Sequence, residues 1–311
     1  MRKNLEIPQG KRTKLYRFLE ILPGAISYGA IILLFVLSLI DPALGAIYLF
    51  ILIASTLVKA IGVAYRTVQG YEVIKRAERV DWRKRVEDLS HPHEAYERLR
   101  DDNNKSYHFD QHVENLKMMA AMGKEYPSPD KVYHVVMMAA YNEGPEIIGP
   151  SIEAVKNNTF PNDHIIFVLA YEQRGGEAIA TTAENLKKQY KGVFRDFLLV
   201  EHPDNLPGEV IGKGPNLTYA GKAVAKYVEA KHLPIENIIV TSLDSDNHMA
   251  PKYLDSVAYE FITHPNRQRL SYQPVSLFMN NIWDAPAPTR VIAVSNSFFN
   301  IIFTHFVYML S

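Results

Sequence analysis

Two long apolar stretches near the N-terminus constrain the fold of this chain more than any other feature. Residues 21–40 contain no charged side chain, and residues 43–65 contain only Lys59, near their end. A helix needs about 20 apolar residues to cross the hydrocarbon core of a bilayer. Asp41 and Pro42 separate the stretches, so the sequence predicts a transmembrane helical hairpin at 21–66. The alternatives are a signal peptide, which fits poorly without a clear cleavage site between the stretches, or two buried core helices.

Basic residues flank the hairpin on both outer sides, and the connection between its helices has none. They are Arg2, Lys3, Lys11, Arg12, Lys14 and Arg17 before the first stretch, and Arg66, Lys75, Arg76 and Arg79 after the second. By the positive-inside rule, both ends of the hairpin lie in the cytoplasm. We therefore expect an integral protein of the plasma or inner membrane, with a basic cytoplasmic N-terminus at 1–20 and everything after Arg66 in the cytoplasm.

The remaining composition is that of an ordinary soluble protein. The chain has 311 residues, which allows about two domains, and it has no cysteine. Disulfides and cysteine-ligated metal sites are therefore excluded. The formal net charge of zero gives no reason to expect nucleic-acid binding. Residues 67–130 are rich in charge and helix formers and predict a helical linker region, in which Ser90–His93 begins a new helix.

From residue 131 onward, short apolar runs alternate with helical patterns. The predicted strands are 132–140, 164–170, 194–200, 238–243 and 270–275, and the predicted helices are 145–157, 177–190, 215–230 and 251–263. This alternation predicts an α/β, Rossmann-like domain at 131–311, with a mostly parallel sheet and helices on both faces. Such sheets bind ligands outside the carboxyl ends of their strands, so the loops after the strands are the candidate site.

These loops carry the polar groups of interest. The candidates are Ala140, Tyr141, Asn142 and Glu143 after the first strand, Glu172 after the second, Lys213 and Asn216 after the third, and Asp244 and Asp246 after the fourth. Two carboxylates one residue apart can share Mg²⁺ or Mn²⁺, and such a cation commonly bridges to phosphate oxygens. A metal and a lysine would neutralise a diphosphate, and a further carboxylate would hold a ribose or a base, so the set suits a nucleotide sugar.

Some of these loop residues also have an ordinary explanation, and Lys213 for example suits a solvated loop. Asp244–Asp246 has the composition of a polar turn, and Glu143 suits the start of a helix. His248 is better explained as a loop residue than as a metal ligand, and for Arg174 a phosphate contact and an exposed loop position explain the sequence equally well.

The order and spacing of these motifs resemble family 2 glycosyltransferases of the GT-A fold, the membrane-bound kind related to cellulose and hyaluronan synthases. The resemblance covers about 131–275. It assigns nucleotide-sugar contacts to Ala140, Tyr141, Asn142, Glu143, Glu172, Lys213, Asn216 and Asp244, and metal binding to Asp244 and Asp246. Gln273–Pro274 resembles the segment that follows the metal motif. The resemblance implies a metal-dependent, inverting transfer of sugar from a uridine or guanosine diphosphate sugar to a polysaccharide or lipid-linked acceptor.

The chain departs from the family pattern in two places. Tyr171–Glu172 stands where many members carry paired aspartates. No acidic pair matches the catalytic base, and Asp284 is a poor match. The sequence ends inside the apolar stretch 298–310, so we expect a fragment of a longer enzyme. The alternatives are a nucleotide-sugar-binding pseudo-transferase and a nucleotidyltransferase. The latter usually has a basic Gly-rich loop after its first strand, and 139–144 is not such a loop.

Overall fold

The computed structural model describes residues 13–122, 126–209, 211–277, 282–283 and 285–307, with side chains described as far as Ile302. The chain divides into two compact units. One comprises the residues up to Tyr71 together with those from Ile301 onward, and the other comprises Glu72–Asn300.

The first unit contains an apolar helical hairpin. Helix α1 (Lys14–Ile40) begins after Thr13, whose hydroxyl accepts a hydrogen bond from the backbone N–H of Tyr16, and ends at Asp41. Helix α2 (Pro42–Arg79) follows at once. A Cβ at Gly45 would overlap the hydroxyl of Ser38, so glycine allows the two helices to approach closely there.

Both helices are long and apolar enough to cross a membrane. Their apolar side chains are exposed: Leu39 is 88 % exposed and Tyr28 is 72 % exposed, whereas the core helix of a soluble protein would bury such groups. These two features indicate association with a membrane. Helix α2 continues 14 residues past the predicted end of the span at 65, to Arg79. Residues 75–79, which are Lys, Arg, Ala, Glu and Arg, are good helix formers.

In the second unit, the last two turns of α2 are followed by the helices α3 (Trp82–Asp88), α4 (Pro92–Leu99) and α5 (Phe109–Met122). Pro92 occupies the first turn of α4, as the sequence predicts. A buried polar network ties these helices to α9 (Tyr253–Thr263). In it, Nδ1 of His112 lies 3.0 Å from the hydroxyl of Tyr259, and Arg98 donates to Asp88 at 2.5 Å.

Four parallel strands form the sheet of this unit, in the order β3-β2-β1-β4. They are β1 (Tyr133–Ala140), β2 (Ile165–Glu172), β3 (Asp196–His202) and β4 (Ile238–Asp244). In the register, Ala139 lies opposite Asp244, and Ala140 lies opposite Tyr171. The carboxyl ends of β1, β2 and β4 therefore meet at one edge of the sheet.

Helices cover both faces of the sheet. They are α6 (Pro145–Lys156), α7 (Gly176–Gln189), α8 (Lys213–Ala230) and α9. Alternate residues of β1 enter two separate cores: Val136 and Met138 pack in a core with α6, α7 and α9, while Val135 and Met137 pack in a core with α8. The predicted α/β fold with a parallel sheet covered on both faces is confirmed at this level.

The prediction of a strand at 270–275 is wrong, because residues 270–277 have no regular secondary structure. Leu270 is 42 % exposed, and Pro274 has no N–H to donate to a neighbouring strand. Helix α10 (Ala287–Val307) follows in the later part of the chain and contains much of the predicted C-terminal apolar stretch.

Candidate functional site

A cleft of about 740 Å³ lies at the carboxyl ends of the strands. Its volume is within the range usual for small-molecule and cofactor sites. Its lining residues come from the carboxyl ends of β1, β2 and β4, from the loops that follow these strands, from the first two turns of α6 and from the first turn of α8. They are Ala139, Ala140, Tyr141, Glu143, Glu146, Ile147, Pro150, Glu172, Arg174, Lys213, Asn216, Asp244, Ser245, Asp246 and His248.

The loop after β1 is closed by its own carboxylate. Glu143 accepts hydrogen bonds from the backbone N–H groups of Tyr141, at 2.6 Å, and of Asn142, at 3.1 Å. Glu143 therefore stabilises the loop that presents Tyr141 to the cleft. Of the nine predicted site residues, Asn142 alone is not part of the cleft lining.

The loop after β2 carries an ion pair that packs on Tyr141. Glu172 is only 6 % exposed, and its carboxylate pairs with Nε of Arg174. The guanidinium carbon of Arg174 lies 3.8 Å from the ring centroid of Tyr141, which is a cation–π contact. A Cβ at Gly175 would overlap the carbonyl oxygen of Tyr141, so glycine allows the two loops to pack this closely.

The N-terminus of α8 contributes Lys213 and Asn216 to the cleft. Asn216 is 1 % exposed, and its Nδ2 donates to the carbonyl of Ala170 in β2 at 2.9 Å. This bond fixes the first turn of α8 against the sheet. Because Lys213 lies in the same turn, the bond from Asn216 to Ala170 also positions Lys213 beside the cleft. Within the described residues, the Oδ1 atom of Asn216 has no hydrogen-bond partner.

Asp244 is the last residue of β4 and pairs with the ammonium of Lys213. Both side chains are about half exposed, at 52 % and 45 %. Burial lowers the pKa of Lys213, and the negative charge of Asp246 acts in the opposite direction. The segment Asp244–Asp246 is anchored to α6 by Ser151, whose hydroxyl donates a hydrogen bond to the carbonyl of Ser245 at 2.8 Å.

The charge of the cleft favours a cation. Its lining has five carboxylates, from Glu143, Glu146, Glu172, Asp244 and Asp246, and two permanent cations, Arg174 and Lys213. The described part of the chain contains no group of three histidine, aspartate or glutamate residues that could hold a metal by itself. Mg²⁺ is usually held by one or two carboxylates and completed by substrate phosphates and water. Asp244 and Asp246 thus fit a metal that arrives with a phosphate ligand.

Sequence reasoning missed the contribution of α6. Glu146, Ile147 and Pro150 line the cleft, and the only signal for them was their position at the start of the helix that follows β1. The stacking of Arg174 on Tyr141 was also missed, because it joins residues 33 positions apart. Asp284, the poorly matching candidate base, lies outside the described residues.

Comparison of the chain with protein-family models, with curated proteins and with solved structures found no match.

Proposed function

We propose that this chain is a membrane-anchored, inverting glycosyltransferase of the GT-A fold. It takes a sugar from a nucleoside diphosphate sugar, with Mg²⁺ or Mn²⁺, and transfers it to a glycan or lipid-linked acceptor. The observation that carries the proposal is the meeting of Asp244, Asp246, Lys213, Glu172 and Tyr141 in one cleft at the carboxyl edge of a parallel sheet.

The arrangement of the cleft suits a nucleotide that lies across the sheet edge. The Tyr141 ring and the buried Glu172 carboxylate lie beyond β1 and β2, where an aromatic face and a hydrogen-bond acceptor suit a nucleoside. Lys213, Asp244 and Asp246 lie toward β4 and carry the charges that suit a diphosphate and its cation. Strands β2 and β4 are separated by β1, so the two ends of the cleft are about 10 Å apart.

Asp244 and Asp246 would hold the metal, which supplies positive charge to the diphosphate as it leaves. Lys213 supplies a second positive charge from the first turn of α8. In the reaction, an acceptor hydroxyl oxygen forms a bond to the anomeric carbon while the bond from that carbon to the diphosphate breaks. The products are an inverted glycoside and a nucleoside diphosphate. The hydroxyl proton passes to a base that we do not assign to any described residue.

The two apolar helices support a membrane location for this activity. A transferase held at the bilayer would share the membrane surface with lipid-linked acceptors. We propose that the α/β unit faces the cytoplasm, on the basis of the basic residues that flank the hairpin.

The proposal is tested by calorimetry on the full chain in detergent, with uridine, guanosine, cytidine and adenosine diphosphate sugars, in the presence and absence of Mn²⁺. We expect one donor to bind in a Mn²⁺-dependent manner. Asp246→Asn should weaken that binding by about tenfold or more, because it removes one charge from the metal site without changing the side-chain size.

Asp163→Asn is the matched control, since Asp163 is exposed at the amino end of β2, on the opposite edge of the sheet. Equal donor binding by the parent chain and Asp246→Asn would refute the metal role. Donor binding without hydrolysis or transfer, in the presence of candidate acceptors, would identify the pseudo-transferase alternative instead.

A further inference from the structure

Arg174 has an unusually well-defined position for a loop arginine. Its guanidinium carbon lies over the Tyr141 ring, 3.8 Å from the ring centroid, and its Nε pairs with the buried carboxylate of Glu172. The side chain is 27 % exposed, so part of it faces the cleft that it lines. Two independent contacts, one with Tyr141 and one with Glu172, therefore hold the guanidinium in place.

The backbone around Arg174 is fixed as well. Gly175 packs against the Tyr141 carbonyl with no room for a Cβ, and Gly176 has a φ of 73° that other residues rarely adopt. On the far side, the side-chain oxygen of Gln173 accepts a hydrogen bond from the backbone N–H of Asp204 at 3.1 Å. The loop is thus held from both sides.

The pair with Glu172 uses only one of the donor groups of Arg174. Among the described residues, Nε makes the one hydrogen bond of this side chain, so the Nη1 and Nη2 groups are available to a ligand in the cleft. Arginine presents these N–H groups as a rigid planar fork and has no acceptor. Such a fork recognises groups that present acceptors only.

We propose that Arg174 is a specificity-determining residue that selects the nucleobase of the donor. The inference rests on the proposed function. The free edge of the guanidinium donates to the carbonyl oxygen O4 of uracil or O6 of guanine. Guanine presents O6 beside the ring nitrogen acceptor N7. Cytosine and adenine place an exocyclic amine at the corresponding edge, where two donors would face each other.

The position of Arg174 supports a base contact over a phosphate contact. Arg174 is paired with Glu172 and Lys213 is paired with Asp244, so charge alone does not separate the two cations. Arg174 follows β2, about 10 Å across the sheet from the Asp244 loop that follows β4. A nucleoside diphosphate with its phosphates at Asp244 would place its base near Arg174.

The test measures binding of UDP, GDP, CDP and ADP to the full chain in detergent with Mn²⁺. We expect UDP or GDP to bind at least about tenfold more tightly than CDP and ADP, in line with the discrimination of one arginine at a base edge. Arg174→Met should remove most of that preference and change CDP and ADP binding less than threefold. Arg174→Lys should also lose the preference, because it keeps the charge but not the fork.

Arg195→Met is the matched control. Its guanidinium also lies over a tyrosine, 4.8 Å from the Tyr133 ring centroid, but at the amino ends of the strands. This variant should keep the parental preference, and melting temperatures identify any variant that fails to fold.

The possible outcomes separate the inference from the proposed function. If Arg174→Met weakens all four nucleotides equally, or if Arg174→Lys keeps the preference, Arg174 acts through its charge and the inference is overturned while the proposed function stands. If the parent chain binds none of the nucleotides, both are overturned.

Discussion

The ammonium of Lys213 lies on the carboxylate of Asp244, where a divalent cation would have to bind. In the ligand-free chain the lysine thus supplies the positive charge that a metal would otherwise supply. A metal that arrives alone must compete with it. A metal that arrives with a diphosphate gives the lysine another anionic partner. The ion pair between Lys213 and Asp244 therefore predicts that metal and nucleotide bind cooperatively.

Replacing Lys213 by methionine separates these two roles. Without nucleotide, Lys213→Met should bind Mn²⁺ about fivefold more tightly, since a half-exposed charge pair is worth roughly 1 kcal/mol. With nucleotide, the same variant should bind the diphosphate about tenfold more weakly, because a charge-assisted contact is lost. Mn²⁺ binding is followed by electron paramagnetic resonance and nucleotide binding by calorimetry.

Lys191→Met, an exposed lysine just after α7, serves as the control and should change neither affinity. If Lys213→Met weakens both metal and nucleotide binding, the lysine does not compete with the metal and the cooperative scheme is wrong.

At the residue scale, the sequence could predict a cleft residue when that residue lies at or just after the end of a strand. Asp244 was found because it follows a recognisable apolar run, and Lys213 because it lies in the loop after the third predicted strand. The edge of a parallel sheet gathers such positions. The pairing of Lys213 with Asp244, and of Arg174 with Glu172 and Tyr141, depends on how loops pack on one another. No local pattern in the sequence encodes that packing.

At the scale of elements, the central strands β1 and β2 were predictable because they are buried on both faces. The edge strands β3 and β4 are only partly buried, but each still contains a recognisable apolar run. The bounds of β1, β2, β3 and β4 differ from the predicted strands by at most two residues at each end. A continuous run of β-branched and apolar residues limits both where the strand can begin and end and how it can pair with its neighbours. The predicted strand at 270–275 failed because an apolar run becomes a strand only when a neighbouring strand edge pairs with it, and sequence does not reveal the edges.

Strand β1 also carries a fully buried histidine, His134, beside Phe160. Burial lowers the pKa of His134 from 6.5 to about 3. Below pH 6.5 the unfolded chain binds a proton at this position that the folded chain does not bind. The free energy of unfolding therefore falls as the pH drops from 6.5 toward 3, by about 1.4 kcal/mol for each pH unit.

His134→Leu should remove this contribution, because leucine fills a similar volume and does not titrate. Between pH 6.5 and pH 5, the variant should lose about 2 kcal/mol less stability than the parent chain. Unfolding in detergent at a series of pH values measures the difference, and other titrating groups contribute equally to both chains. His93→Leu, an exposed histidine in α4, is the matched control. Parallel curves for the parent and His134→Leu would contradict the assignment.

At the scale of the whole molecule, the two apolar helices were predictable because the thickness of the hydrocarbon core fixes their length. The continuation of α2 to Arg79 was not predictable, since the thickness of the hydrocarbon core sets no limit on a helix that extends beyond it. The two compact units follow the same division of composition, since the first contains the apolar helices and the second contains the sheet.

The orientation of the hairpin gives the last prediction. The chain has no cysteine, so an introduced cysteine is its only thiol. Asp41→Cys lies in the connection between α1 and α2, and Lys187→Cys is exposed on α7. In intact cells, a membrane-impermeant maleimide should label Asp41→Cys, and it should label Lys187→Cys only after permeabilisation. The physical reason is the positive-inside rule, by which basic residues on both outer flanks of the hairpin favour the cytoplasmic side for those flanks. Labelling of Lys187→Cys alone in intact cells would show that the hairpin has the opposite orientation. Labelling of neither variant before permeabilisation would show that the hairpin does not cross the membrane.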